Sequence, residues 1–115
     1  MTITRRHSGP RMSQSVEYGD TVYLAGQVAS DPKQGVAGQT TQILNQIDSL
    51  LAECGSSKAK LLSATIYLSD IRAFGEMNGV WDAWVDQQNP PARATVEARL
   101  AGPQYLVEIA IIAAK

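Results

Sequence analysis

Residues 105–114 read YLVEIAIIAA, and the fold is decided in this stretch. β-Branched residues at short intervals make it a strand. In an extended chain Val107, Ile109 and Ile111 point to one side, while Leu106, Ala110 and Ile112 point to the other. Both faces are therefore apolar, and a sheet built on this strand needs cover on two sides. Before it, ARATVEARL (residues 92–100) reads as another strand, joined to it through the turn formers Ala101-Gly102-Pro103-Gln104, so a final hairpin is expected.

Further upstream the periodicity alternates between strand and helix. Residues 15–30, SVEYGDTVYLAGQVAS, carry Val16, Tyr18, Val22, Leu24 and Val28 at even spacing around Gly19-Asp20, which reads as a hairpin with a tight primed turn. After the turn-rich DPKQGVAGQT, Thr40 or Thr41 is placed to cap a helix. Its apolar stripe is Ile43, Leu44, Ile47, Leu50, Leu51 and Cys54, and Gly55 ends it. LLSATIYL (residues 61–68) reads as a strand with Leu62, Ala64, Ile66 and Leu68 on one face. A second helix follows Ser69-Asp70, either of which could cap it. Its apolar side is Ile71, Phe74, Met77, Trp81, Trp84 and Val85, and it stops before Asn89-Pro90-Pro91. Gly75 and Gly79 inside it lower helix propensity, which points to a compensating close approach of another backbone. The order is ββαβαββ, an α/β (α+β) arrangement with two helices on one face of a mixed sheet. Residues 1–115 read as a single domain, too short to supply a third layer. The expected cover for the second face is another copy of the chain.

Composition excludes several classes of function. With 44% apolar and 18% charged residues the chain buries a core. Ten basic against eleven acidic residues give a net charge of −1, with no cationic field to attract phosphate backbones or anionic lipid. One cysteine, Cys54, and one histidine, His7, make neither an internal disulfide nor a zinc site, so no metal is expected and a reduced, cytoplasmic setting fits. No apolar run follows the basic N-terminus or approaches membrane-spanning length. The glycines of GQVASDPKQGVAGQ lack the spacing and the Lys-Ser ending of a phosphate loop. Cys54 lies on an apolar stripe and reads as packing. His7, among Arg5, Arg6 and Arg11 at a chain end, reads as solvated.

Two residues break the strand pattern in a way that calls for chemistry. Glu108 sits inside an apolar run, where a carboxylate must be paired or protonated if buried. Arg93 follows Pro90-Pro91-Ala92, a stiff approach that aims a guanidinium, whose planar fork suits a small carboxylate. The structural alternative is an Arg93–Glu108 ion pair, or one between Glu108 and Arg99 across the final hairpin. Phe74, Trp81 and Trp84 keep helical spacing and read as core or subunit packing. Asn78 adjoins that stripe and needs a partner for its amide if it is buried.

VYLAGQVA, GQTTQILNQIDSLLAECGSS, TIYLSDIRAFGEMNGVWDAWV, PPARATVEARL and YLVEIAIIAA together resemble the reactive intermediate deaminase family, also called RidA or YjgF. The likeness covers nearly the whole chain. Its most specific part is PAR-x-x-VE followed by a late VEI. GQ after a strand and MN in the second helix agree in order. The resemblance implies a chorismate-mutase-like fold, a homotrimer with clefts between subunits, and hydrolysis of 2-imino acids and enamines to 2-keto acids and ammonia without cofactor or metal. It assigns Arg93 to the substrate carboxylate and Glu108 to the attacking water. Asn78, Thr95, Ala25 and Gly26 fall at the other positions lining the cleft. Two departures stand out. Met12 occupies the place of a tyrosine, and Ala25 replaces the serine before GQ, so two hydroxyls are missing. A non-catalytic keto-acid-binding or chaperone-like module on the same scaffold is the competing expectation. RNA cleavage ranks last, because no basic stripe is present.

Overall fold

The computed structural model, which describes residues 1–115, begins with a strand where the apolar pattern is silent. Strand β1 (Ile3–Arg6) pairs antiparallel with β2 (Ser15–Tyr18), so the sheet has six strands rather than the expected five. Its side chains are largely exposed, which is why hydrophobic patterning missed it. Backbone pairing and an ion pair, Arg6 Nε to Glu17 Oε2 at 2.8 Å, hold it in place.

β2 turns into β3 (Thr21–Leu24) through Gly19, whose φ of +59° gives the primed turn that the sequence called for. The even spacing of apolar residues across this hairpin does not keep them on one face. Val16 pairs with Tyr23 and Tyr18 with Thr21, so even-numbered residues on one arm share a face with odd-numbered residues on the other. Val22 and Leu24 point into the core together with Ser15 and Glu17, while Val16, Tyr18 and Tyr23 line the opposite face. The strand ends at Leu24. Beyond it only Gln27 returns to the sheet, bridging to Ile109.

Helix α1 (Val36–Glu53) starts a turn earlier than Thr40. The hydroxyls of Thr40 and Thr41 donate back to the carbonyls of Val36 and Ala37, at 2.7 and 3.0 Å, instead of capping free amides. One of those amides, Ala37 N, donates to Glu76 Oε2 at 3.1 Å. At the other end Gly55 takes φ +72°. Gly55 N reaches Ala52 O and Ser56 N reaches Leu51 O, a Schellman ending that glycine makes cheap. Cys54 is buried at 2% exposure.

Strand β4 (Leu61–Leu68) carries a register shift between Leu61 and Ser63. The shift brings Leu61 into the core with Ala64, Ile66 and Leu68 and turns Leu62 out, half exposed, contrary to the strict alternation expected. Asp70 caps a short 3₁₀ turn (Ile71–Ala73) ahead of helix α2 (Phe74–Trp84), and the Arg72 side chain bound to it lowers its pKa to about 2. A Cβ placed on Gly75 or Gly79 would meet nothing within 4 Å, so the expected close approach does not exist within the chain.

Strands β5 (Ala92–Glu97) and β6 (Val107–Ala114) are not a hairpin. The sheet order is β1-β2-β3-β6-β4-β5, with β5 parallel to β4 and every other pair antiparallel. The α2 crossover makes β4 and β5 parallel neighbours, while residues 98–106 carry the chain past β4 to insert β6 at the centre. A strand hydrogen-bonded on both edges sees little water, and this is why residues 107–114 are the most apolar of the molecule. Both helices pack on the face of Val107, Ile109 and Ile111, giving a mixed α+β fold whose 20 Å short axis equals one sheet plus one helix layer. The other face, with Val16, Tyr18, Tyr23, Tyr67 and Ile112, has no cover from this chain. Tyr18 and Tyr23 are about half exposed.

Candidate functional site

The parity of the strands places Arg93 and Glu108 on opposite faces of the sheet. Arg93 pairs with Ala64, and Thr95 with Ile66, so both residues of β5 face the helix layer. There the Arg93 guanidinium carbon lies 5.3 Å from the centre of the Trp81 ring and 5.7 Å from that of Phe74, within cation–π range of both. Two flat rings thus pack against the guanidinium at the start of β5, just after Pro90-Pro91. No carboxylate in the chain pairs with it. Near this edge of the molecule, α2 contributes Asn78 Oδ1 and β5 contributes Thr95 Oγ1, buried polar atoms with no hydrogen-bond partner. Buried acceptors are normally satisfied, so an anion-seeking guanidinium and two orphaned oxygens on adjoining elements describe a surface built for something the lone chain does not hold.

Glu108 pairs with Tyr67 on the uncovered face and is half-buried. It makes no hydrogen bond or ion pair, which removes both structural alternatives: it meets neither Arg93 nor Arg99. The backbone after β3 comes down on top of it. A Cβ on Gly26 would displace the carboxylate from its present position, and the Gln27–Ile109 bridge fixes the backbone here with bonds of 2.8 and 3.1 Å. The carboxylate forms part of a cavity of about 330 Å³ whose wall includes Gly26, Tyr67, Arg99 and Ala110. A larger cavity of about 750 Å³ is also lined by the segment Ala98–Ala101, Arg99 included. Neither is lined by Arg93, Asn78 or Thr95.

Ala25 precedes this glycine without a hydroxyl to offer, its own carbonyl engaged by Gln27 Nε2 at 3.1 Å. Met12 is 48% exposed in the loop between β1 and β2. The sequence-predicted residues thus divide into two half-sites, Arg93, Asn78 and Thr95 on one face and Glu108, Gly26 and Ala25 at the other. Arg99 shares a cavity with Glu108, whereas its sequence position suggests only an ion-pair partner. Its signal is a cation in the β5–β6 connection, which passes β4, and it is legible only with the strand order.

A second charged cluster escaped the sequence reading. Glu17, 5% exposed, faces the core from β2 and is bound by Arg6 Nε and by Lys115 Nζ at 2.9 Å. Lys115 first, then Arg6, holds its carboxyl below the ordinary carboxylate range against the opposing effect of burial. His7, expected to be merely solvated, contacts Glu53 Oε2 through Nε2 at 2.7 Å. No group of acids, histidines and cysteine could hold a metal, and no helix is long and apolar enough to cross a membrane.

Comparison with known proteins agrees with the fold. Residues 3–115 match the family described as Endoribonuclease L-PSP. A RutC family protein of Haemophilus influenzae is 45% identical over 114 residues, 98% of each chain, and the RutC family protein YoaB of Escherichia coli is 43% identical over 99% of each. The crystal structure of a YjgF family member from Neisseria meningitidis superposes with a TM-score of 0.97 at 50% identity, covering 100% of this chain and 96% of that one. With near-complete coverage on both sides and a close superposition of the folds, the chain belongs to the Endoribonuclease L-PSP family, whose members are also known as YjgF, RutC and RidA proteins.

Proposed function

We propose that the protein hydrolyses reactive 2-imino acids, and the enamines in equilibrium with them, to 2-keto acids and ammonia in a cleft formed between copies of the chain, with a homotrimer as the assembly. The observation that carries this reading is the separation of the two half-sites. Arg93 and Glu108 are both unpaired, and a sheet lies between them. A small substrate can meet both only where two copies adjoin, and the bare apolar face beside Glu108 supplies the surface for that contact.

In such a cleft the Arg93 fork takes the substrate carboxylate through two charge-assisted hydrogen bonds, with Trp81 and Phe74 packed against the guanidinium. Asn78 Oδ1 and Thr95 Oγ1 are acceptors for the imine and water protons. Glu108 takes a proton from water as the oxygen adds to the carbon of the protonated imine, and passes that proton to the amino nitrogen of the tetrahedral adduct. The carbon–nitrogen bond then breaks, ammonia leaves, and the carbonyl forms as the hydroxyl gives its proton to Glu108, which releases it to solvent. One water is consumed for each ammonia released. The carbon beside a carboxylate is already electrophilic in a protonated imine, so orientation plus one acid/base group suffices, with no metal or cofactor in any step. The compartment we assign is the cytoplasm, which a single buried free cysteine fits.

The test is to generate 2-iminopropanoate and 2-iminobutanoate in situ with an amino acid oxidase and to follow ammonia release. Acceleration above the uncatalysed rate supports hydrolysis. The absence of hydroxyls at Met12 and Ala25 favours a second reading, a keto-acid-binding module without turnover. A flat rate together with measurable keto-acid binding would select it. Light scattering should give about three times 12.4 kDa, and a monomer at micromolar concentration would overturn the shared cleft.

A further inference from the structure

We infer that Arg99 is a specificity residue for a second anionic group, so that the preferred substrates are dicarboxylic 2-imino acids rather than short aliphatic ones. The inference rests on the proposed cleft and extends it by naming the substrate class. Arg99 lies on the segment Ala98–Ala101 and contributes to the walls of both cavities, the smaller of which contains the Glu108 carboxylate. It is exposed and forms no ion pair. The acid in the wall of the larger cavity, Glu97, has Oε1 accepting from Ile71 N at 3.0 Å and so anchors the turn before α2.

The placement fixes what this cation can do. Arg93 faces the helix layer and Glu108 the opposite face; in the proposed cleft a substrate whose first carboxylate is gripped by the Arg93 of one copy reaches the Glu108 of another. Any group extending further along that substrate runs beside Glu108 into the space lined by Arg99. The remainder of the smaller cavity is alanine, leucine, glycine and a tyrosine ring, with no other cation. An apolar side chain there would cover a guanidinium without replacing its water, which is a cost, whereas a carboxylate would form a charge-assisted, bidentate pair. At about 330 Å³ and about 750 Å³ the two spaces have room for a chain longer than that of iminobutanoate.

Binding of the stable keto acids tests this without requiring turnover. Calorimetry should compare 2-oxoglutarate and oxaloacetate with 2-oxobutanoate on the wild type, Arg99→Met and Arg99→Lys. We expect the dicarboxylates to bind the wild type more tightly, that preference to fall ~10- to 100-fold in Arg99→Met, and partial recovery in Arg99→Lys, as for loss of a bidentate charged contact. A wild type that binds 2-oxoglutarate no better than 2-oxobutanoate overturns the inference. So does an Arg99→Met variant that loses affinity for both classes equally, since that marks a residue positioning Glu108. If imines are not hydrolysed while the Arg99-dependent preference persists, the hydrolase reading fails and the assignment of Arg99 stands.

Discussion

The molecule has two regions where charge meets limited solvent, and they are built in opposite ways. Around Glu17 every charge has its partner: Arg6 from β1 and Lys115 from the end of the chain converge on one buried carboxylate. Around Arg93, Glu108 and Arg99 no charge has one, and Asn78 and Thr95 add buried oxygens without donors. The first region has its charges matched within one chain and ties both termini to the sheet, although the neighbouring Ser15 Oγ is buried without a partner. The second is complete only with something added, which is the mark of a binding surface rather than a structural one.

The largest expected effect comes from breaking the open region at its proposed acid/base group. Glu108→Gln preserves shape and loses no ion pair, so turnover of 2-iminopropanoate should fall about 10²- to 10⁴-fold while keto-acid binding and the thermal midpoint persist. Normal turnover with a much lower midpoint would make Glu108 structural. Arg93→Lys keeps the charge but loses the planar fork within cation–π range of Trp81 and Phe74. Keto-acid affinity measured by calorimetry should drop about tenfold or more in Arg93→Lys, and further in Arg93→Ala. Unchanged affinity in both would mean that the anchor lies elsewhere.

Breaking the closed region should have the converse result, with stability lost and chemistry kept. Glu17→Gln leaves Arg6 and Lys115 facing an amide, and denaturant unfolding should show a loss of about 2–3 kcal/mol with turnover per folded molecule unchanged. The pH dependence has a definite sign. The folded pKa of Glu17 is lowered, so its contribution is present above the ordinary value of 4.5 and is lost as pH falls through the lowered one. Wild type should therefore lose stability on acidification below about pH 4.5, and Glu17→Gln should lose less over the same window. Parallel curves would assign acid sensitivity to other carboxylates.

The same contrast explains what could be read in the sequence. Both helices, the Gly19 turn and strands β2 to β6 follow from apolar period and turn chemistry, which report burial directly. β1 was invisible because its side chains face solvent and its fixing ion pair spans eleven residues. The order of the strands was also out of reach: a turn-like AGPQ reads as a hairpin whether the chain returns beside β5 or crosses β4. That single ambiguity hid which face each site residue occupies. Arg93 and Glu108 were legible as anomalies of residue type. Their separation by the sheet depends on pairing partners far apart in sequence.

A finer test within the open region is Thr95→Val, which deletes an oxygen that satisfies nothing in the chain. A threonine making no hydrogen bond pays desolvation for no return, so the variant should unfold within about 1 kcal/mol of wild type, or later, while keto-acid affinity declines. A large loss of stability would show that Oγ1 has a structural partner after all.

The smallest effect concerns α2, whose Gly75 and Gly79 have open space where a Cβ would go. If that side of the helix meets only water, Gly79→Ala should raise stability by up to about 1 kcal/mol through helix propensity alone, because alanine gives up less backbone freedom on folding than glycine does. Asn78 lies directly before Gly79 on the helix that also carries Phe74 and Trp81 against Arg93, so the proposed cleft runs along α2. Should a second copy approach there closely, the added methyl would instead be crowded at the interface. Urea unfolding and light scattering on Gly79→Ala separate the two cases. A more stable variant of unchanged mass places Gly79 outside the subunit contact, whereas a shift toward monomer places it within.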